Sequence, residues 1–459
     1  MERGAIPAAT SKTARDRPVT GLLALLREPG MKPAVSLLRY LWRVLPIPGA
    51  VQRTVDRCYL YPRLDHIGPV APQREGRPSI IGFLQSGLGI GEAARQEVVT
   101  LRQAGLEPGV LDISHLQGVK DFENLQFEDS VDFPAKGPLL IHANASETGT
   151  ILRSLPTGMT RGRPIIGSWA WELTTQPRNW SRAYRYLSEL WVPSEFVADV
   201  FRPTCPVPVK VVPHPVQTPV GRGLSRVDFS LPGDSCIFLC MADCRSDLAR
   251  KNILGCITAF KQAFEGQENA LLLVKLHHVA FAGRTMAELQ RAIGTAENIR
   301  LETDLLDRAA LADLMLACDI FVSLHRSEGF GLPLAEAMLL GKPVIATGYS
   351  GNLTFMSPEV ARLIDYSLVP VRAERRPYAE LEGAVWAEPD PEQASRAMRD
   401  MFDSPELRQT LGERGRRHAQ RVLSPNALLE AFRPWIGDDG SSTQRVKSEQ
   451  KAAPLGGVA

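Results

Sequence analysis

Two doubly wound α/β sheets, one in each half of the 459-residue chain, are what the sequence predicts. Three observations lead there. Short apolar runs alternate with helix-like segments from Ser79 to Val212, and the same alternation restarts at Cys236. Between them, residues 214–235 are rich in Pro and Gly and read as a linker. Strands separated by helical segments pair in parallel, because the chain must cross back before each new strand.

In the first half, residues 80–84 are a strand and 91–104 a helix. Strands follow at 110–113, 139–142 and 165–168, then a helix at 180–187 and strands at 190–192 and 210–212. The second half opens with a strand at 236–241 and a helix at 252–264. A strand at 271–275, a helix at 285–293, a short strand at 299–301 and a helix at 308–317 come next. Asp319 to Ser323 is a strand that ends in the loop Glu328-Gly329-Phe330-Gly331, where a helix opens. Pro333 suits the first helical position, Gly341 and Pro343 close the helix, and Val344 starts the next strand. Helices at 405–422 and 426–432 end near Trp435. The expected organisation is a basic helical extension (1–77), a first domain (78–213), the linker (214–235) and a second domain (236–404). Closing helices (405–436) and a disordered, Gly/Ser/Lys/Gln-rich tail (437–459) complete it.

Composition narrows the function. With 44% hydrophobic and 23% charged residues the chain can bury two ordinary cores, and a net charge of +2 argues against nucleic acid as a partner. Seven scattered cysteines without a C-x-x-C pair read as reduced, buried thiols, which fits a cytoplasmic protein. No run approaches a spanning helix. In residues 34–45 arginines alternate with Leu, Tyr and Trp. That pattern fits a helix lying on the inner face of a membrane and equally a helix packed on the adjoining α/β domain; both readings stay open.

Residues 323–347, SLHRSEGFGLPLAEAMLLGKPVIAT, carry the strongest signal. A Gly-rich loop feeding a helix N-terminus offers N–H groups and a positive dipole end, which suit phosphate. Glu328 and Glu336 stand with seven residues between them. This stretch resembles the E-x7-E signature of retaining, nucleotide-sugar-dependent glycosyltransferases of the GT-B fold, family four, in a mannosyltransferase-like bacterial subgroup. The resemblance covers residues 79–435. It implies two facing Rossmann-like domains, with the nucleotide sugar on the second and a saccharide or lipid-linked acceptor on the first. It also implies final helices that cross back to the first domain and a role in polysaccharide assembly.

By that resemblance Glu328 holds donor-sugar hydroxyls and Glu336 the ribose, with Gly329, Phe330, Gly331 and Leu332 beside the donor. Arg245 and Lys251, in Arg245-Ser246-Asp247-Leu248-Ala249-Arg250-Lys251-Asn252, match the arginine and lysine that clamp the diphosphate, with Arg250 a spare cation. Gly87 and Gly89, in a G-x-G-x-G loop after the first strand, would approach the diphosphate from across the cleft. His142 and Asn144 at a strand end are candidate sugar contacts, His142 among the catalytic set. Trp171 and Glu172, in Trp169-Ala170-Trp171-Glu172, suit a sugar face and its hydroxyls. His214 stands where many relatives have asparagine, and His277 and His278 read as incidental. No Asp-x-Asp lies between the strands, so neither a metal nor another cofactor is expected beside the donor. A nucleotide-sugar epimerase on the same scaffold and a catalytically silent membrane-associated partner remain as alternatives.

Overall fold

The computed structural model describes residues 69–72, 75–117, 129–130, 133–155, 157–373 and 377–436, all within one unit that begins at Ile67. The helix expected at 34–45 and the tail from 437 lie outside the described residues.

The first lobe is a six-stranded parallel sheet. Its strands are β1 (Ser79–Gly82), β2 (Gly109–Asp112), β3 (Leu139–His142), β4 (Ile165–Ser168), β5 (Glu189–Val192) and β6 (Val209–Val211). They lie in the order β2-β1-β3-β4-β5-β6. Strands β1, β3, β4 and β5 are buried along their whole length, as a sheet covered on both faces requires. The longer helices are α1 (Gly89–Gln103), α2 (Ala145–Ser154) and α3 (Glu195–Phe201). The helix expected at 180–187 is a 3-10 helix, Arg178–Tyr186. Trp180, Ala183 and Tyr186 are all buried, and their spacing of three matches a three-residue turn.

The second lobe repeats the plan. Strands β7 (Cys236–Asp243), β8 (Ala270–His277), β9 (Ile299–Glu302), β10 (Ile320–Ser323), β11 (Val344–Thr347) and β12 (Arg362–Ile364) lie in the order β12-β11-β10-β7-β8-β9, all parallel. Helices α4 (Leu248–Lys251), α5 (Ile253–Phe264), α6 (Arg284–Ile293), α7 (Arg308–Ala317) and α8 (Leu332–Leu339) make the crossovers. Phe238, Phe260 and Phe264 pack against one another at 4.9–5.6 Å between ring centres and anchor this core.

An antiparallel pair, β13 (Tyr366–Pro370) with β14 (Val385–Pro389), is added beyond the sheet. Helices α9 (Pro391–Asp403), α10 (Pro405–Val422) and α11 (Asn426–Phe432) close the chain. Only α11 crosses to the first lobe: α10 stays on the second, where Gly412 packs against Gly341. Leu428, Phe432 and Trp435 are buried with Ile80, Val98, Leu140 and Trp191 of the first lobe. Burying Phe432 and Trp435 contributes roughly 2–3 kcal/mol each.

Each sheet reverses its strand order once, between β1 and β3 in the first lobe and between β7 and β10 in the second. Ligands bind at such points, outside the carboxyl ends of the strands. No helix among the described residues is long and apolar enough to cross a membrane.

Candidate active site

Both reversal points open on one cleft of about 830 Å³ between the lobes. Its first-lobe wall includes Gly87, Leu88, Gly89, Ile90, Glu92, Asn144, Ala170 and Glu172. The second-lobe wall includes Asp243, Arg245, Arg250, Lys251, His277, His278, Arg308, Glu328 to Pro333 and Glu336.

Local structure after β7 aims the cations. Asp247 caps α4 by accepting from Arg250 N–H at 3.0 Å. Asn252 then takes a left-handed conformation (φ 53°), and its side chain accepts from Gly255 N–H at 3.2 Å to start α5. The chain turns sharply there, and Arg250 and Lys251 are presented beside the loop after β10. Lys251 Nζ is paired with Glu328 Oε1. Arg250 Nη1 lies 3.0 Å from Glu328 Oε2 and donates to Ser327 C=O at 2.6 Å, while Nη2 donates to Ser246 Oγ at 2.8 Å. Burial alone would push the Glu328 carboxyl up, but the charges of Arg250 and Lys251 outweigh it and hold the group well below the usual carboxylate range. Burial likewise opposes charge on Arg250, yet Glu328 and Glu172 hold its pKa above the ordinary value. Arg250, expected as a spare cation, is thus a buried partner of Glu328.

Arg245 folds back onto Asp243, with Nε 3.1 Å from each carboxylate oxygen and Nη2 2.6 Å from Oδ2. Burial raises the Asp243 pKa despite this contact, and lowers that of Arg245. His278 Nδ1 is 3.2 Å from the same Asp243 oxygen. His277 lines the cleft with its Nε2 buried and unpartnered, and burial, then the charge of Lys275, pushes its pKa down to about 4. Neither histidine is incidental in place. Their signal in the sequence was their position at the end of β8.

The signature loop is held from both sides. Glu328 N–H donates to Ser350 Oγ at 2.8 Å, and Ser194 Oγ of the first lobe donates to Gly329 C=O at 2.8 Å. A Cβ on Gly329 would stand 2.9 Å from Trp171 C=O, so the approach of the lobes requires glycine there. Gly331 caps α8 in a left-handed conformation (φ 95°) with no side chain over the helix end. Leu332, not Pro333, is the first helical residue. Glu336, one helical turn on, has its carboxyl pushed up by burial, partly offset by Arg308, whose Nη2 is 3.3 Å away. Arg308 Nη1 also pairs with Glu92 of α1.

Two expected contacts are placed elsewhere. His142 is fully buried in the first sheet, its Nε2 2.9 Å from Glu97, and it does not line the cleft. Its neighbour in that network, His214, does reach the cleft, packing edge-on to Phe330 at 5.0 Å. Trp171 is buried as well, 4.6 Å from the Trp180 ring and 5.3 Å from Tyr378, with Nε1 donating to Thr175 C=O at 2.7 Å. His142 still lies within β3, in a sheet covered on both faces, whereas Asn144 and Glu172 stand past the ends of β3 and β4 and line the cleft. Asn144 Oδ1 accepts from Ala170 N–H at 3.0 Å and so ties the β3 and β4 ends together. Gly89 is the first residue of α1 rather than part of a free loop, and it faces Leu332 across the cleft.

Residues 245–418 match the family of glycosyl transferases group 1. The glycosyl-transferase match therefore spans the second-lobe wall of the cleft, from Arg245 through the signature to α10. A D-inositol 3-phosphate glycosyltransferase of Kineococcus radiotolerans is 25% identical over 247 residues, 51% of this chain and 53% of the relative. The chain spans about half the length of the curated relatives it matches. Among solved structures, sucrose-phosphate synthase of Thermosynechococcus elongatus superposes with a TM-score of 0.56 at 15% identity, over 82% of this chain and 98% of that one. Anabaena HepE in complex with UDP-glucose gives 0.52 at 13% identity, over 82% and 100%. The fold is GT-B, with two parallel six-stranded sheets facing one cleft.

Proposed function

We propose that the chain is a retaining hexosyltransferase that moves a sugar from a nucleotide sugar to a saccharide or lipid-linked acceptor. The observation that carries this reading is the buried Glu328 carboxylate gripped by Arg250 and Lys251 beside a helix N-terminus that no side chain covers. A charged cluster of that kind in a cleft is costly to keep unless a polar, anionic ligand uses it. The cleft's size suits a nucleotide sugar. HepE, solved with UDP-glucose, and the D-inositol 3-phosphate glycosyltransferases lend support.

In this reading Arg245, Lys251 and the N-terminus of α8 meet the diphosphate. Glu328 fixes donor-sugar hydroxyls, and Glu336 takes the ribose. As the sugar–phosphate bond breaks, negative charge grows on the departing diphosphate, and fixed cations stabilise that state more than the ground state. These groups supply the charge without a metal ion. The acceptor hydroxyl attacks from the face the diphosphate leaves, and a leaving phosphate oxygen takes its proton. Closure of Gly87 and Gly89 over the phosphates excludes water.

Glu328→Ala and Lys251→Ala are each expected to lower transfer at least roughly a hundredfold with the fold intact by circular dichroism. UDP-glucose and GDP-mannose, compared by thermal shift, separate the two donors, mannose being the favoured sugar; the bound donor raises the melting temperature. Near-normal turnover in either variant, or no shift with any nucleotide sugar, removes the assignment.

A further inference from the structure

Glu172 stands just after β4 on the first-lobe wall of the cleft, and its two oxygens have different surroundings. Tyr378, from the segment between β13 and β14 of the other lobe, donates its hydroxyl to Oε2 at 2.6 Å. Oε1 lies 4.0 Å from Arg250 Nη2, outside hydrogen-bond reach. The other end of that guanidinium, Nη1, is 3.0 Å from Glu328 Oε2. One buried guanidinium therefore separates two carboxylates, one contributed by each lobe. The Glu172 side chain keeps 21% of its surface open, about twice the 10% of Glu328.

We infer that Glu172 binds a hydroxyl of the acceptor through Oε1, and that Tyr378 is the positioning residue that holds this carboxylate in place. The inference rests on the transferase reading above and adds to it which side chain receives the acceptor.

Every charged group assigned to the donor sits on the second lobe, and Glu172 faces them from the first. A carboxylate only accepts hydrogen bonds, whereas a saccharide acceptor arrives with hydroxyl donors in excess. With Oε2 committed to Tyr378, Oε1 is the oxygen left to receive one. Tyr378 is itself immobilised: its ring packs 5.3 Å from that of Trp171, and burial followed by the charge of Glu172 raises its pKa well above the ordinary value. It therefore stays a protonated donor at any physiological pH. Because the tyrosine and the carboxylate belong to different lobes, the acceptor contact is assembled only when the cleft is closed. Val385 N–H, donating to Thr174 Oγ1 at 3.1 Å, braces the same junction.

The test compares the wild-type chain with Tyr378→Phe and Glu172→Gln. UDP affinity is read by calorimetry, and transfer from labelled UDP-glucose or GDP-mannose is followed with D-inositol 3-phosphate and a panel of neutral saccharides as acceptor probes. The expected result is an acceptor KM raised roughly five- to thirtyfold in both variants, and a larger share of donor lost to water, with UDP affinity within about twofold of wild type. Tyr378→Phe keeps the ring and its packing, so a merely structural tyrosine would leave the acceptor KM unmoved. An unchanged acceptor KM in both variants, or a fall in UDP affinity by the same factor, overturns the inference. So does a wild-type chain that binds UDP yet transfers to no probe. A wild-type chain that binds neither UDP nor either donor sinks the transferase reading itself, a distinguishable result.

Discussion

Arg250 and Lys251 are adjacent in the sequence, equal in charge and both within reach of Glu328, yet their surroundings differ. Arg250 keeps 4% of its side chain exposed and spends its fork on Glu328, Ser327 and Ser246, while Lys251 keeps 16% and makes a single contact at the cleft wall. A guanidinium that satisfies several acceptors at once is a structural clamp, and an ammonium on a flexible stem can turn to a phosphate when one arrives. Arg250→Met should therefore cost about 3–5 kcal/mol of stability, because it leaves the Glu328 carboxylate buried with one partner fewer. Lys251→Met should cost much less stability while removing transfer. Urea unfolding of the two purified variants checks this, and equal losses would show that the cations share one role. At this scale the sequence singled out Glu328 and Lys251 by motif, and both line the cleft. It was silent where burial decides: nothing local told that Lys251 is the more open of two neighbouring cations, or that His142 and Trp171 face inward. Their orientation follows from which strands flank them, a non-local fact.

Helix α1 carries the clearest electrostatic feature of the first lobe. Glu97 is 2% exposed, with its oxygens 2.9 Å from His142 Nε2 and 3.6 Å from His214 Nδ1. Burial would raise its pKa, but the two histidines prevail and lower it from the ordinary 4.5 to about 2. A carboxyl whose folded pKa is depressed adds stability that is complete above its unfolded value and is lost as pH falls toward the folded one. The window runs from about pH 4.5 down to 2, and the amount is on the order of 3 kcal/mol. Wild type should thus lose stability faster than Glu97→Gln between roughly pH 5 and pH 3, as read from urea midpoints at each pH; parallel slopes would remove the assignment. Strands and helix ends of this kind were largely legible, since α10 and α11 match the expected spans at 405–422 and 426–432. The β13–β14 pair was not expected. Its strand Tyr366–Pro370 is mostly exposed, so it lacks the buried alternation that marks a strand in sequence. Helix α9 was missed despite a readable start, with Asp390 accepting from the N–H groups of Glu392 and Gln393 at 2.9 and 3.0 Å.

For the whole molecule, function depends on how the two lobes meet, and the contacts between them differ in kind around the cleft. At the back, α11 buries Phe432 and Trp435 in the first lobe, and that burial ties the lobes regardless of ligand. Along the floor, Ser194 with Gly329 is a buried hydrogen bond and Tyr378 with Glu172 a partly buried one. At the mouth, Arg308 of α7 joins Glu92 of α1 to Glu336 of α8, and its side chain is 41% exposed. An ion pair this open contributes about 1 kcal/mol or less and weakens as salt screens it over a Debye length of about 8 Å at physiological ionic strength. Apolar and shielded contacts do not share that sensitivity, so salt should act on closure through Arg308 first. The radius of gyration of the ligand-free wild type, measured by small-angle X-ray scattering, should rise modestly between low and high salt. That of Arg308→Ala should start at the higher value and stay there. Because Glu336 is assigned to the ribose, the same variant frees that carboxylate, and nucleotide binding should become less salt-dependent. Identical scattering from the two proteins at every ionic strength would mean that the mouth pair does not hold the lobes, and that α11 and the floor contacts set closure alone.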